Sequence, residues 1–521
     1  MKNRDIEAAW EYHNGTKHSY QSIRQNPHYL DWENQPLPFK IYPKLEPLAL
    51  DPNLSSAGIP ALDTIASRAV PEQSSMAITS RALAELLFLS AGITKRRSYP
   101  GGEMLFRAAA CTGALYHIDL YVVCGELDGV EAGVYHFSPQ DFALRRLRAG
   151  DYRSVLATAS GGEPAIVNSG CVVVSASTFW RNAWKYQSRA YRHCYWDNGT
   201  ILANLLAAAA ARKIPAKVVL GFVDAAVSRL LGLDDQREAP LSLVALGHQA
   251  KSAALSRSAP PAPLALETEP LSKAEVDYPA MRRMHVASSL ESAEEVEVWR
   301  EEEAEGERMK NEGTKRNQLF PLEALKNDEL PRDTIEDVVV RRGSTREFAR
   351  ASISFAELST MIDHATHGIH CDFLSEDEPP LNELYLIVHA VDGLAPGAYV
   401  FRREQRALEQ LKSGDFRREA GYLGLGQEIP ADCSVNIYFL ADLHRVLARF
   451  GNRGYRAAQL EAAIIGGKLY IGAYAQRLGA SGLTFFDDDV TEFFSPDAVG
   501  KSVMFLMAIG KSAKRTKSTA G

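Results

Sequence analysis

The feature of this sequence that most constrains its fold is an internal repeat. Residues 120–153 and 384–417 align without a gap at a constant offset of 264 positions. Identical residues stand at this offset both inside that block and far from it: Tyr121 and Tyr385, Gly133 and Gly397, Asp151 and Asp415, Tyr191 and Tyr455, Phe222 and Phe486, Asp224 and Asp488. A fixed spacing over separated positions predicts two copies of one fold in a single chain.

Hydrophobic patterning predicts a mixture of strands and helices in each copy. The first copy has short runs rich in β-branched residues, which favour strands, and a long alanine-rich segment, which favours a helix. The predicted elements are a helix near 79–92, strands at 118–124, 133–137, 171–176 and 241–246, and a helix over 198–212. The sequence therefore predicts an α+β fold repeated in tandem.

The repeat divides the chain into five segments. We predict an N-terminal segment at residues 1–55, a first domain at 56–250, a linker at 251–330, a second domain at 331–512 and a basic tail at 513–521. The N-terminal segment is rich in aromatic residues, so we expect it to pack on the first domain. Glutamates dominate the linker over 291–307, which suggests a solvated helix face, with a partner-binding segment as the alternative.

Composition and charge exclude several classes of protein. The chain has 58 basic and 65 acidic residues and a net charge of −7, which argues against a general nucleic-acid binder. Its longest apolar run, from Ile201 to Ala211, is too short to cross a bilayer, and its charged start does not resemble a signal peptide. The six cysteines are scattered, without a CxxC pair. We therefore expect a cytoplasmic protein with reduced thiols, no metal, and no membrane or nucleic-acid partner.

One candidate binding motif opens the second copy, where Arg342, Ser344 and Arg346 alternate with other residues. In an extended segment, residues at i, i+2 and i+4 point the same way, so two guanidinium groups and a hydroxyl would face one spot. Such a set suits a phosphate. A surface basic stretch that continues from Arg341 explains the spacing equally well.

A second candidate motif is the run of small residues Cys111, Thr112, Gly113 and Ala114 in the first copy. Small residues around a glycine, just before a strand, let backbone amides approach a planar ligand closely. A plain tight turn is the alternative interpretation of this run.

A third candidate motif is the pair Lys185 and Tyr186, which follows an aromatic stretch that begins at Trp180. Desolvation by aromatic neighbours would lower the pKa of Lys185 and make it a proton-transfer group, with Tyr186 able to donate or accept a proton beside it. The alternative is a lysine that snorkels from the edge of the core.

Together these motifs resemble the SagB-type, thiazoline oxidase-like branch of the nitroreductase superfamily in its tandem form. The resemblance covers nearly the whole chain except the linker. It rests on the segments Tyr12 to Ser19, Leu30 to Lys40, Thr112 to Tyr116, Lys185 to Arg192 and Arg342 to Arg346.

The resemblance implies FMN bound between two copies of the fold, which form an internal pseudo-dimer. By the family pattern, Arg342 to Arg346 hold the phosphate and ribityl chain, Cys111 to Ala114 cover the flavin, and Gly482 and Leu483 bring a backbone amide near its N5 atom. Lys185 and Tyr186 handle a proton, while the flavin takes hydride from a small molecule or modified peptide, as in azoline to azole oxidation.

Each copy lacks a different half of that pattern. Aligning Gly92 with Gly368 puts Ala66, Arg68 and Val70 at the positions of Arg342, Ser344 and Arg346. In the second copy, the offset of 264 puts Ser375, Glu376, Asp377 and Glu378 at the small-residue turn, and Arg449 and Phe450 at the lysine–tyrosine pair. The sequence therefore predicts one complete composite flavin site per chain and one defunct site.

The leading functional prediction is an FMN-dependent dehydrogenase. An NAD(P)H-dependent reductase of nitroaromatics or quinones is the second, and a flavin-binding or scaffold protein without turnover is the third. The residues alone leave the substrate, the electron acceptor and any further oligomerisation of the pseudo-dimer open.

Overall fold

The computed structural model describes residues 2–25, 27–67, 76–99, 102–249, 260–301, 318–375 and 377–513. Over those ranges the chain has an α+β architecture with two seven-stranded sheets. Among the described helices, none combines the length and the apolar character that crossing a bilayer demands.

The two sheets have the same strand order. The first runs β1-β6-β5-β4-β7-β9-β8 and the second β10-β15-β14-β12-β16-β18-β17, with every neighbouring pair antiparallel. The strands of the first half are β1 Pro47–Ala49, β2 Ile93–Tyr99, β3 Gly102–Arg107, β4 Ile118–Cys124, β5 Gly133–Ser138, β6 Ala143–Ala149, β7 Cys171–Thr178, β8 Ala216–Val219 and β9 Glu238–Leu246. Those of the second are β10 Leu319–Pro321, β11 Ile353–Ser354, β12 Asn382–Val388, β13 Val391–Asp392, β14 Gly397–Arg402, β15 Ala407–Ser413, β16 Val435–Ala441, β17 Gly479–Gly482 and β18 Ser502–Gly510.

Helices pack on both sheets and between them. The helices up to residue 249 are α1 Glu7–Gly15, α2 Tyr20–Gln25, α3 Ala61–Ala66, α4 Ser80–Ala91, α5 Arg153–Ala159, α6 Pro164–Asn168, α7 Phe179–Tyr186, α8 Ala190–Ala211 and α9 Asp224–Leu231. The later ones are α10 Pro279–Ala287, α11 Ala293–Glu301, α12 Ile335–Arg341, α13 Phe355–Ala365, α14 Arg417–Leu423, α15 Glu428–Asp432, α16 Leu443–Phe450, α17 Arg453–Ala475 and α18 Asp487–Phe494.

The predicted elements of the first copy all occur, and the main error is the start of the long helix. α8 begins at Ala190 rather than near residue 198. Its first turns are aromatic and polar, so they carry no helical pattern, and they are helical because they are buried on nearly every side.

The two long helices, α8 and α17, cross at unusually small residues. A Cβ added to Gly199 would lie 2.4 Å from the Cβ of Ala463, and one added to Gly467 would lie 2.4 Å from the Cβ of Ala203. Each contact joins a position to its own counterpart at the offset of 264. Larger side chains at these positions would force the two helices, and with them the two sheets, apart.

Buried ion pairs join the two halves reciprocally. Arg189 and Arg192 of the first half bond to Asp487 of the second, at 2.9 and 2.6 Å. Arg453 and Arg456 of the second half bond to Asp224 of the first, both at 2.6 Å. All six side chains are at most 4% exposed. The repeated Arg-x-Tyr-Arg motif therefore links the halves.

The ion pairs show that the sequence alignment matched Asp224 to the wrong aspartate of the second half. The constant offset pairs Asp224 with Asp488, but Asp488 is exposed and bonds to Lys17. The residue that does what Asp224 does is Asp487, because α18 begins one position earlier than the offset requires.

The segments outside the repeats also touch both halves. In α11, Val296 and Trp299 are buried, so only part of this acidic helix is a solvated face. The N-terminal segment was expected to pack on the first domain, and Tyr12 does bond to the Ser188 carbonyl. Asn3, however, bonds to Phe450 and Arg453 of the second half.

We predict that Asp487→Ala destabilises the fold by about 3–5 kcal/mol, because it leaves two buried guanidinium groups without their carboxylate. The matched control is the exposed neighbour, Asp488→Ala, for which we expect a change within about 0.5 kcal/mol. Denaturant unfolding of the full chain measures both. Equal effects would show that Asp487 contributes no more than a surface residue.

The same pairs predict loss of stability in acid. Burial alone would raise the pKa of Asp224, but Arg453 and Arg456 outweigh burial and lower this pKa to about 2. A carboxyl with a lowered folded-state pKa stabilises the fold fully above its unfolded-state value of about 4. We therefore expect the free energy of unfolding to fall as the pH drops from about 4 towards 2.

Candidate functional site

The turn from Cys111 to Ala114 forms one wall of the candidate site. Thr112–Ala114 is a short 3-10 helix in which Gly113 has φ +64° and Ala114 has φ +55°, both in the left-handed region. The Thr112 amide and hydroxyl donate to the Asp197 carboxylate at 2.8 and 2.7 Å, which fastens the turn to α8.

Lys185 and Tyr186 end α7 beside this turn. The Tyr186 hydroxyl lies 2.8 Å from the position a Cβ on Gly113 would take, so only glycine leaves it room. The Lys185 Nζ lies 5.5 Å from the centre of the Tyr186 ring. The lysine–tyrosine pair and the small-residue turn, found separately in the sequence, are therefore neighbours.

The two side chains have oppositely shifted pKa values. Burial and the positive charge of Arg346 lower the pKa of Lys185. Burial, Asp197 and Cys111 raise the pKa of Tyr186 well above its usual value. Near neutral pH, Tyr186 thus keeps its proton, while Lys185 releases its proton more readily than an exposed lysine does.

Tyr470 of α17 joins the candidate residues of the second half. The Gly482 amide donates to the Tyr470 hydroxyl. Burial raises the pKa of Tyr470, and Ser344 lies close enough to lower it. Arg342 lies over the Tyr470 ring, 5.8 Å from its centre. Leu483 is buried, and its amide donates to the Leu506 carbonyl at 3.0 Å.

The structure gives Arg342 and Arg346 different surroundings, and the expectation that they face one spot together with Ser344 stays a prediction. Between the end of α12 and Phe348 the described chain forms no strand. Arg342 is buried and donates to the carbonyls of Ala108 and Arg107 at 2.7 and 3.0 Å. Arg346 is exposed and close enough to Lys185 to lower its pKa. Both arginines therefore reach the first half, but at different places.

Sequence reasoning missed two residues of this site, Asp197 and Tyr470. Asp197 had a signal, because an aspartate stands among aromatic and apolar residues inside a helix. Tyr470 and Tyr474 are one helical turn apart in α17, so they share a face, but nothing in the pattern points that face at Ser344.

At the corresponding place in the other half, the described residues bond to one another. Arg449 and Glu378, the counterparts of Lys185 and Ala114, form an ion pair of 2.8 Å. The Leu220 and Gly221 amides, just past β8, both donate to the buried carboxylate of Asp372, at 2.7 and 2.9 Å.

Helix α11, which lies outside the two repeats, contacts the same region of the second half. Trp299 donates to the Phe450 carbonyl at 3.0 Å, and its ring lies 5.4 Å from that of Phe450, the counterpart of Tyr186. Arg68, Val70 and Glu376, which also entered the comparison of the two sites, lie outside the described residues.

Within the described ranges, no three side chains form a group that could hold a metal ion. His364, His367 and His370, which are close in sequence, each bond through Nδ1 to a backbone carbonyl.

The sequence profile of the Nitroreductase family matches residues 77–248. A candidate nitroreductase of Methanocaldococcus jannaschii is 26% identical over 185 residues, which make up 36% of this chain and 88% of that protein. The microcin B17-processing protein McbC of Escherichia coli is 27% identical over 156 residues, 28% of this chain and 52% of McbC. The chain thus matches about half the length of McbC.

One solved structure resembles this chain over nearly its full length. The crystal structure of a candidate nitroreductase from Anabaena variabilis matches with a TM-score of 0.75 and 24% identity, over 97% of this chain and 99% of that chain. The likeness in fold is therefore not confined to the first half.

We predict that Gly113→Ala disturbs the site by two effects. The left-handed backbone costs a residue with a side chain about 1–2 kcal/mol, and the new methyl group would overlap the Tyr186 hydroxyl. Gly129→Ala is the matched control, because Gly129 has φ +76° with no atom within 4 Å of an added Cβ. We expect Gly113→Ala to lower the free energy of unfolding more than Gly129→Ala does, with Tyr186→Phe reducing the difference. Equal losses would mean that the contact with Tyr186 is unimportant.

Proposed function

We propose that this chain, whose residues 77–248 form a nitroreductase-family domain, is an FMN-dependent oxidoreductase of the SagB type. The observation that carries the proposal is that Lys185 and Tyr186 of the first half lie beside the Gly113 turn, within electrostatic reach of Arg346 of the second half. A cofactor bound between two copies of a fold needs such parts from both copies. The similarity to McbC, a peptide-processing protein, supports a modified peptide as the substrate.

The groups around this place fit FMN. The Ser481 and Thr484 hydroxyl oxygens are buried and have no hydrogen-bond partner among the described residues. Gly482 between them is exposed and has no side chain to block a planar ligand. We propose that Ser344 and Arg346 hold the phosphate and ribityl side and that Cys111 to Ala114 cover the ring. Gly482 and Leu483 would lie along the ring, while their amides keep their bonds to the Tyr470 hydroxyl and the Leu506 carbonyl. Arg342 would fix Ser344 in place by its bonds to the first half.

We infer that the two halves form an internal pseudo-dimer with one working site. Each tight contact between α8 and α17 joins a position to its own counterpart, as a two-fold relation requires. At the second site, Asp372 takes two backbone amides, and the Arg449–Glu378 pair and Trp299 fill the region of the counterparts. A dianionic phosphate would meet two carboxylates there.

The chain's own side chains suggest how a proton is handled. Bound FMN would supply the hydride acceptor. Lys185, with its lowered pKa and its place beside the turn, is the proposed base that takes a proton from the substrate. Tyr186 keeps its hydroxyl proton and can donate a hydrogen bond to the substrate atom. Oxidation of an azoline ring in a peptide, which loses one proton and one hydride, matches this division of roles.

We predict one FMN per chain after reconstitution of the full-length protein. Arg346→Ala should weaken FMN binding about tenfold or more, because a charge-assisted contact contributes about 1.5–3 kcal/mol. The control is Arg418→Ala on the exposed face of α14, which should bind FMN like the unchanged chain. Quenching of flavin fluorescence measures the affinity, and the visible spectrum counts the cofactor.

The stoichiometry also separates the other functional readings. Two FMN per chain would contradict a closed second site, and none would leave a scaffold protein. Rapid reduction of the bound flavin by NADPH would favour a nitro- or quinone reductase instead of a dehydrogenase.

We predict that Arg346→Gln raises the pKa of Lys185, because it removes one of the two causes that lower it. The pH dependence of the rate at which an amine-reactive reagent modifies Lys185, followed by mass spectrometry, measures this pKa without any substrate. Arg418→Gln is the control and should leave the profile unchanged.

Lys185→Ala should keep FMN and lose turnover of an azoline-containing peptide. Full turnover without Lys185 would remove it from the mechanism.

A further inference from the structure

Asp197 of α8 lies beneath the turn that forms one wall of the site. It is 4% exposed. Its carboxylate receives four hydrogen bonds: from the Thr112 amide at 2.8 Å, the Thr112 hydroxyl at 2.7 Å, the Cys111 thiol at 3.0 Å and the His117 ring at 2.9 Å. Four donors on one buried carboxylate are what an ionised group needs to stay charged away from water.

Two further hydrogen bonds orient the His117 ring, which is one of the donors to Asp197. Nδ1 of His117 lies 2.9 Å from the Ser177 hydroxyl, and the Cys194 thiol donates to the same hydroxyl at 3.3 Å. If the Ser177 hydroxyl donates a hydrogen bond to Nδ1, His117 carries its own hydrogen on Nε2 and donates it to Asp197.

Ser177, His117 and Asp197 have the order of a hydrolytic triad, but they cannot act as one. Ser177 is 1% exposed and His117 is fully buried, so no substrate carbonyl reaches the hydroxyl. The three residues form a buried support behind the turn.

In the second half a glutamate takes the position of Asp197, and it fastens a different segment of the chain. Glu461 is the counterpart of Asp197 at the offset of 264. It accepts from the Leu381 amide at 3.1 Å and from the Asn382 amide and side chain at 2.9 and 2.8 Å. Glu461 thus holds the start of β12, whereas Asp197 holds the turn before β4. The half with the aspartate is the half with the small-residue turn.

We propose that Asp197 is the positioning residue of the composite site: its buried carboxylate holds the Cys111–Ala114 turn against Tyr186 and places a fixed negative charge beside both. The functional part of this inference rests on the proposed FMN site, since that site gives the turn a ligand to cover. Asp197 acts through the turn and through Tyr186 and does not itself touch the substrate.

The charges of Asp197 and Arg346 influence the protonation of Tyr186 and Lys185. Asp197 opposes ionisation of Tyr186 and Cys111, whose pKa values it raises together with burial. Arg346 acts in the opposite direction on Tyr186 and lowers the pKa of Lys185. Asp197 thus keeps Tyr186 a proton donor, and Arg346 makes Lys185 the better proton acceptor.

The test replaces Asp197 by asparagine, which keeps the shape and removes the charge. The matched control is Asp372→Asn, which removes another buried carboxylate that accepts from two backbone amides, but in the second half. Thr112→Val is a second variant, which removes one donor to Asp197 and leaves the carboxylate in place.

The first readout needs no flavin: the pH profile of Cys111 alkylation in the flavin-free chain, with iodoacetamide as the probe. The titratable side chains that influence Cys111 are Asp197 and the opposing Arg107, with the neutral Tyr116 and Tyr186 beside it. We expect Asp197→Asn to shift the midpoint of the profile to lower pH, while Asp372→Asn and Thr112→Val leave it in place. Loosening of the turn alone would expose Cys111 and lower its pKa too, so it would shift the midpoint of Thr112→Val as far as that of Asp197→Asn.

The second readout is affinity for FMN, which we expect Asp197→Asn to weaken about tenfold and Asp372→Asn to leave unchanged. An unmoved alkylation midpoint in Asp197→Asn, or equal effects of both aspartate variants, would overturn the inference. If the unchanged chain binds no FMN, the proposed function fails. The alkylation profile then still decides whether Asp197 controls the turn.

Discussion

The close crossing of α8 and α17 is the constraint on which the rest of this structure depends. Gly199 and Gly467 leave no space for a side chain against Ala463 and Ala203, so the two helices pack backbone to backbone. Both helices are buried almost all round, and each carries the Arg-x-Tyr-Arg motif at its N-terminal end and a site residue further along. The distance between the helices therefore sets how far apart Asp197 and Tyr470 lie.

The buried ion pairs add orientation to that proximity. Replacing a buried ion pair by apolar residues often costs a fold nothing, so such pairs are poor evidence of stability, whereas removing one partner is strongly destabilising. Here each aspartate receives two arginines from the opposite half. An apolar interface of the same size would tolerate sliding of the halves, but a carboxylate held between two guanidinium groups does not. These pairs thus fix the register at which residues from the two halves meet.

The divergence of the two sites follows from this shared scaffold. Where the first half has Ala114, Lys185 and Tyr186, the second half has Glu378, Arg449 and Phe450, and its glutamate and arginine bond to each other. Asp372 accepts hydrogen bonds from the Leu220 and Gly221 amides, and Trp299 bonds to the Phe450 carbonyl. A pair of equivalent sites in a symmetric dimer must change together, whereas two copies in one chain can change separately. This freedom accounts for the different side chains at the two corresponding places.

The sequence by itself determined the repeat, the α+β class, most strands, and the three motifs of the site, because these depend on local pattern and on a fixed spacing between copies. It also showed that each copy lacks what the other keeps. Only the tertiary structure decided that Arg342 faces the carbonyls of Arg107 and Ala108 while Arg346 approaches Lys185, since side-chain direction after α12 depends on packing. The tertiary structure also decided that Asp487 takes the place of Asp488 and which groups bond to Asp197 and Tyr470. Hydrogen bonds between residues hundreds of positions apart leave no periodic trace in a sequence, and only the folded chain brings their partners together.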